Sequence, residues 1–83
     1  MFSNLDLAFM QEAIELAKEA ELNGEVPVGA VITLDNKIIG RGFNQVISLN
    51  DVTAHAEIIA IRDASKTINN YRLKNTCMYV TLE

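Results

Sequence analysis

Val28-Gly29-Ala30-Val31-Ile32-Thr33-Leu34, then Asp35-Asn36, then Lys37-Ile38-Ile39-Gly40-Arg41-Gly42-Phe43 decide the fold of this chain. The two runs are rich in β-branched residues, and the Asp-Asn pair between them tolerates the backbone of a tight turn. With Pro27 opening it, the segment reads as a β-hairpin. Before it, Phe9, Ala13, Leu16, Ala17 and Ala20 recur at helical spacing, and Met10 and Ile14 widen the stripe. That predicts an amphipathic helix from Asp6 to Asn23, with Ser3 as its cap and Asn23-Gly24 as its stop. After the hairpin, Asn44 to Val52 is a polar loop. Thr53 is then expected to cap a second helix running to Ser65, with its apolar surface from Ile58, Ile59 and Ile61. A connection from Lys66 to Asn75 leads to a last strand, Thr76-Cys77-Met78-Tyr79-Val80-Thr81-Leu82.

The order helix, strand, strand, helix, strand gives an α/β class with a layered, mixed sheet. A strand–helix–strand crossover makes the second and third strands parallel and should be right-handed. The first strand fits between them, antiparallel to both. In the last strand Met78, Val80 and Leu82 share one side, while Cys77 and Tyr79 make the other side apolar too. Such a strand is expected to lie inside a sheet, covered on both faces, and an open edge there is a pairing liability. Cys77 is expected to be a small buried apolar residue.

At 83 residues the chain supports one small domain with a thin core. It is 49% hydrophobic and 22% charged, a balance that argues against disorder. No apolar run is long enough to span a bilayer, and the first residues carry no secretory pattern. One cysteine excludes an internal disulfide and suits a reducing, cytoplasmic setting. A net charge of −4 argues against a broad basic surface for nucleic acid, although local patches can still be basic.

Thr53-Ala54-His55-Ala56-Glu57 carries the chemistry. A lone histidine is more often structural than functional. Here a carboxylate follows two residues later, both sit at a helix start, and two alanines leave room around them. Positions i and i+2 point roughly 200° apart on a helix, so they cannot share a centre on its side. They can share one lying over its amino-terminal end, where free N–H groups and the dipole favour an anionic ligand.

H-x-E is the first half of the zinc deaminase motif, whose second half is P-C-x-x-C. Glu25-Val26-Pro27-Val28-Gly29-Ala30-Val31, Gly42-Phe43-Asn44, the His55 segment, Asn70-Tyr71-Arg72-Leu73 and Tyr79-Val80-Thr81-Leu82-Glu83 surround it in order. Together they resemble the bacterial tRNA-specific adenosine deaminases of the cytidine/deoxycytidylate deaminase superfamily, over nearly the whole chain. The resemblance implies that His55 is a zinc ligand and that Glu57 shuttles protons during hydrolysis of adenosine to inosine. It implies that Asn44 hydrogen-bonds the extruded base or its ribose. Val26 and Ala56 would line the pocket, and Gly29 would allow close approach of backbone to ligand. It further implies a homodimer acting on the wobble position of a tRNA anticodon arm. Without the resemblance, Asn44 is a turn-favoured loop residue, Gly29 a strand kink and Val26 a core residue.

Val52 stands where the family often has proline. No P-C-x-x-C occurs within residues 1–83, and a catalytic zinc takes three protein ligands plus water. Residues 1–83 are therefore expected to be the amino-terminal part of a single zinc deaminase domain. Alone they are expected to bind zinc poorly and not to deaminate. Two alternatives remain open at this point. One is a non-catalytic remnant or a protein that pairs through its open strand edge. The other is a cytosine, cytidine or guanine deaminase acting on a free base or nucleoside.

Overall fold

The computed structural model describes residues 3–81. Helix α1 spans Asn4–Leu22 and begins with a full capping box. The Ser3 hydroxyl accepts from the Asp6 N–H at 3.1 Å, and Asp6 Oδ2 accepts from the Ser3 N–H at 3.0 Å. Asn23 closes the helix and Gly24 follows at φ 76°. Strands β1 (Gly29–Leu34) and β2 (Lys37–Phe43) form the hairpin, with Asp35 and Asn36 both at positive φ, 51° and 63°. Two such residues make the turn whose twist matches the flanking strands. Helix α2 spans Ala56–Ile68, and strand β3 spans Thr76–Val80.

The sheet order is β2-β1-β3, with β1 antiparallel to each neighbour, so β2 and β3 run parallel as the element order predicts. Alternation along β1 divides the packing. Ala30 and Ile32 join Ala56, Ala60 and Ala64 of α2 in one core cluster, whereas Gly29 meets Ala13 and Ala17 of α1. The helices thus cover opposite faces, giving three layers. No described helix is long and apolar enough to cross a membrane.

Both seams are built from small residues. A Cβ on Gly40 would lie 2.4 Å from the Ala60 carbonyl oxygen, and one on Gly42 would lie 2.3 Å from that of Ala56. The helix α2 backbone therefore rests on the strand backbone. Of the isoleucines expected to supply its apolar surface, Ile59 is half-buried beside Gly42, but Ile58 and Ile61 are each 37% exposed, while Ala56, Ala60 and Ala64 are fully buried. Isoleucines would hold the layers apart, so the alanine row faces inward and the isoleucines flank it. The helix also continues past Ser65 to Ile68, where Asn69 at φ 53° ends it.

On the outer side of β2, the Arg41 N–H donates to Asp63 Oδ2 at 2.9 Å. That contact occupies a donor of an exposed strand edge. At the opposite margin of the described sheet lies β3. Cys77 is exposed, not buried. The register explains this: Tyr79 pairs with Val31 and lies against Phe9 of α1, at 5.4 Å between ring centroids. Cys77 lies opposite Thr33, two residues before Tyr79 on the margin strand, and is left exposed. The expected continuation of the strand through Leu82 lies outside the described residues.

The Tyr79 hydroxyl donates to Asp6 Oδ1, so the carboxylate that caps α1 also holds β3. This bond, then that from the Ser3 backbone, holds the Asp6 carboxyl below its ordinary pKa and outweighs desolvation. Hydrogen bonds from Thr53 lower Asp51 likewise. A carboxyl with a depressed folded pKa stabilises the fold above its unfolded pKa, and that contribution is lost as pH falls through the folded value. The melting temperature is therefore expected to stay level from neutrality to about pH 5 and to fall below about pH 4, the range of free carboxyls. In Asp6→Asn the fall should be shallower. An equally steep fall in a pH series of melting curves would rule out this contribution.

Candidate functional site

The site is assembled at the amino-terminal end of α2. His55 is the N-cap residue, in extended conformation at φ −79° and ψ 154°, and its side chain makes no capping hydrogen bond. The ring is exposed. Glu57 occupies the first helical turn and is half-buried, between the buried Ala56 and the outward Ile58. His55 and Glu57 are therefore both carried at the helix end, where N–H groups and the positive end of the dipole face outward.

Thr53 does not cap the helix. Its N–H and hydroxyl both donate to Asp51 Oδ1, at 2.9 and 2.7 Å, because Asp51 is close enough in sequence to capture them in a turn. Asn44 provides the cap instead. Its Oδ1 accepts from the Ala56 N–H at 2.8 Å, a bond across twelve residues, and its own N–H donates to the Val28 carbonyl at 3.1 Å. Asn44 is 5% exposed, so its orientation is fixed by packing as well. One such buried bond contributes about 1 kcal/mol net.

The structure thus brings Asn44, His55, Ala56 and Glu57 to one helix end. Val26 and Gly29 lie beside Val28, whose carbonyl accepts from the Asn44 N–H, and the structure does not bring them into this group. Val26 is 49% exposed and is not a core residue. Gly29 is packed against α1: a Cβ there would lie 2.1 Å from the Ala13 carbonyl oxygen. The close approach that this glycine permits is made by α1.

Sequence reasoning assigns no role to Glu25, yet it is only 6% exposed. Its Oε1 accepts from the Ile47 N–H at 3.1 Å, and its Oε2 from the Ser48 N–H and hydroxyl at 2.7 Å each. Burial opposes its ionisation, but bonds from the Ser48 hydroxyl and the loop N–H groups prevail and hold the carboxyl below its ordinary value. The donors lie more than twenty residues away, so no local pattern signals this contact.

Among the described residues, no three His, Cys, Asp or Glu side chains come together so as to hold a metal ion. A catalytic zinc takes three protein ligands. His55 fits one such position, as an exposed imidazole at a helix end. Cys77 belongs to the α1 face of the sheet, opposite α2, and does not join it. The described residues therefore do not by themselves make a zinc site.

The chain was compared with known proteins. It is 58% identical over 83 residues to a tRNA-specific adenosine deaminase of Buchnera aphidicola subsp. Schizaphis graminum, covering 100% of this chain and 55% of that protein. It is 55% identical over 82 residues to a tRNA-specific adenosine deaminase of Haemophilus influenzae, covering 98% and 47%. It spans about half the length of these curated relatives. A structure from a study of A-to-I editing by tRNA deaminases at the wobble position of transfer RNA aligns with a TM-score of 0.89 at 47% identity, covering 93% of this chain and 59% of that one. A guanine deaminase from Bacillus subtilis aligns with a TM-score of 0.88 at 40% identity, covering 99% and 52%. The family model for the cytidine and deoxycytidylate deaminase zinc-binding region matches residues 3–83, and with the histidine and glutamate at the head of α2 this chain belongs to that deaminase family.

Proposed function

We propose that this chain is the amino-terminal part of a zinc-dependent deaminase that converts adenosine to inosine at the wobble position of a tRNA anticodon. The observation that carries the proposal is the pairing of His55 with Glu57 at one helix end, in a chain 58% identical to a tRNA-specific adenosine deaminase. His55 is one zinc ligand, and the remaining ligands come from outside residues 1–83. Zinc in such enzymes makes water ionise near neutral pH. Glu57 moves protons between the attacking water, the base and the departing ammonia. Asn44, already fixed through its Oδ1, offers its amide N–H groups to the base or ribose, and Val26 and Ala56 border the pocket. The whole protein works as a cytoplasmic homodimer that grips the anticodon arm.

A guanine deaminase at 40% identity supports a second reading, hydrolysis of a free base. The full-length protein should be offered an anticodon stem-loop with adenosine at the wobble position, and separately guanine, adenosine and cytidine. Inosine is expected in the stem-loop alone. Turnover of guanine with an untouched stem-loop would replace the first reading by the second.

A further inference from the structure

Glu25 has no place in the chemistry above, yet it is a buried carboxylate bound entirely by donors from one loop. Burying a carboxylate costs free energy unless its oxygens are well bonded, so the arrangement persists only where geometry satisfies it. Here two successive N–H groups, of Ile47 and Ser48, turn inward onto it. With the backbone turned in, neighbouring apolar side chains stand outward: Ile47 is 71% exposed and Leu49 56%.

The same loop is fastened at its far side to the candidate site. The Gln45 N–H donates to the Ala54 carbonyl at 2.9 Å, and the Ala54 N–H to the Asp51 carbonyl at 3.0 Å. Ala54 immediately precedes His55. Glu25 therefore anchors one side of a frame whose other side adjoins the proposed ligand. Leu49 also lines an open groove of about 390 Å³ with Ile59, Arg62 and Lys66, and with Arg41 and Asp63, which are engaged with Glu12 and with the Arg41 N–H respectively, so apolar surface lies beside the Arg62 and Lys66 cations next to the loop. Unpaired nucleotides present that mixture, a base face beside a phosphate.

We infer that Glu25 is a positioning residue, acting through the 45–51 loop to hold Ile47 and Leu49 in place for the RNA strand that enters the site. The inference rests on the tRNA reading given above. A glutamine at this position cannot serve: its amide nitrogen would face donors on one side of the carboxylate's present contacts.

The test uses the full-length protein, with amide hydrogen exchange and steady-state kinetics on the anticodon stem-loop. In Glu25→Gln, exchange at the Ile47 and Ser48 amides should rise at least about tenfold while α1 is unaffected, reflecting local rather than global opening. KM for the stem-loop should rise about tenfold with kcat kept within about threefold, the pattern of lost binding. The double variant Ile47→Ala/Leu49→Ala should reproduce the KM change with wild-type exchange, and Ser48→Ala, which removes the hydroxyl bond to Glu25 Oε2, should raise both exchange and KM even if Glu25→Gln fails to fold. Unchanged exchange in Glu25→Gln, faster exchange with unchanged KM, or wild-type kinetics in the double variant would each overturn the inference. A wild-type protein that ignores the stem-loop but turns over guanine defeats the tRNA reading. If KM for guanine then rises in Glu25→Gln, the positioning role survives with a different substrate.

Discussion

Glu57→Gln is expected to lower stem-loop deamination by the full-length protein by about 10²–10⁴-fold, the usual worth of a positioned general acid–base. Glutamine keeps the shape of the side chain and can still hydrogen-bond, but it cannot accept and return a proton. Glu57 is half-buried in the first turn of α2 and bears no part of the core, which is made there by Ala56 and Ala60. Loss of a carboxylate near the positive end of the helix dipole should cost less than about 1 kcal/mol. The melting temperature should consequently change little while turnover collapses, and KM should stay close to wild type. Kinetics and a melting curve on the same preparation check this. Retention of more than about a tenth of wild-type kcat would remove Glu57 from the proton path.

The largest effect on stability should come from Gly29→Ala. The added methyl carbon would lie 2.1 Å from the Ala13 carbonyl oxygen and 2.6 Å from the Ala17 nitrogen, both main-chain atoms of α1. Backbone cannot step aside as the tip of a flexible side chain does. Helix and sheet must separate, opening the seam that buries Phe9, Ala13 and Ala17. Overpacking of this kind costs about 3 kcal/mol. In the full-length protein, a domain of roughly 150 residues or more, that corresponds to a fall of roughly 6–12 °C in melting temperature. A control at Gly24, where nothing lies within 4 Å but φ is 76°, should lose much less on replacement by asparagine, which tolerates that conformation. A fall of only a few degrees in Gly29→Ala would show that α1 can shift at little cost.

What could be read in the sequence was local. The Asp35-Asn36 turn, the Ser3–Asp6 capping box and the Asn23-Gly24 stop each depend on residues within four positions, and all three form. Strand order also followed, because a helix between two strands leaves few alternatives. The His-x-Glu pair was legible as a motif, and its position at a helix start was read within two residues. The rest depended on distant partners. Asn44 caps α2 from twelve residues away, and Thr53, which looks like the cap, is taken by Asp51. Glu25 finds its donors twenty-two and twenty-three residues later. The inner face of α2 is not legible from hydrophobicity, which ranks isoleucine above alanine, whereas glycines on the facing strand select for size. Cys77 reads as apolar cover, yet it lies exposed on the margin strand of the described sheet, a position that no local pattern signals.

The seam under α2 bears on how a substrate could be admitted. The carbonyl of Ala56 and the amide of Ala60 are seated directly over Gly42, with no layer of side chains between helix and strand. A side chain larger than hydrogen at Gly42 would push α2 off the strand. The proposed proton carrier, Glu57, therefore rides on the sheet as one stiff body with it. Among the described residues, the 45–51 segment is held instead by hydrogen bonds that can break singly and reform. Access and chemistry are thus carried by parts of very different compliance: a hinged rim, and behind it a seat that does not move.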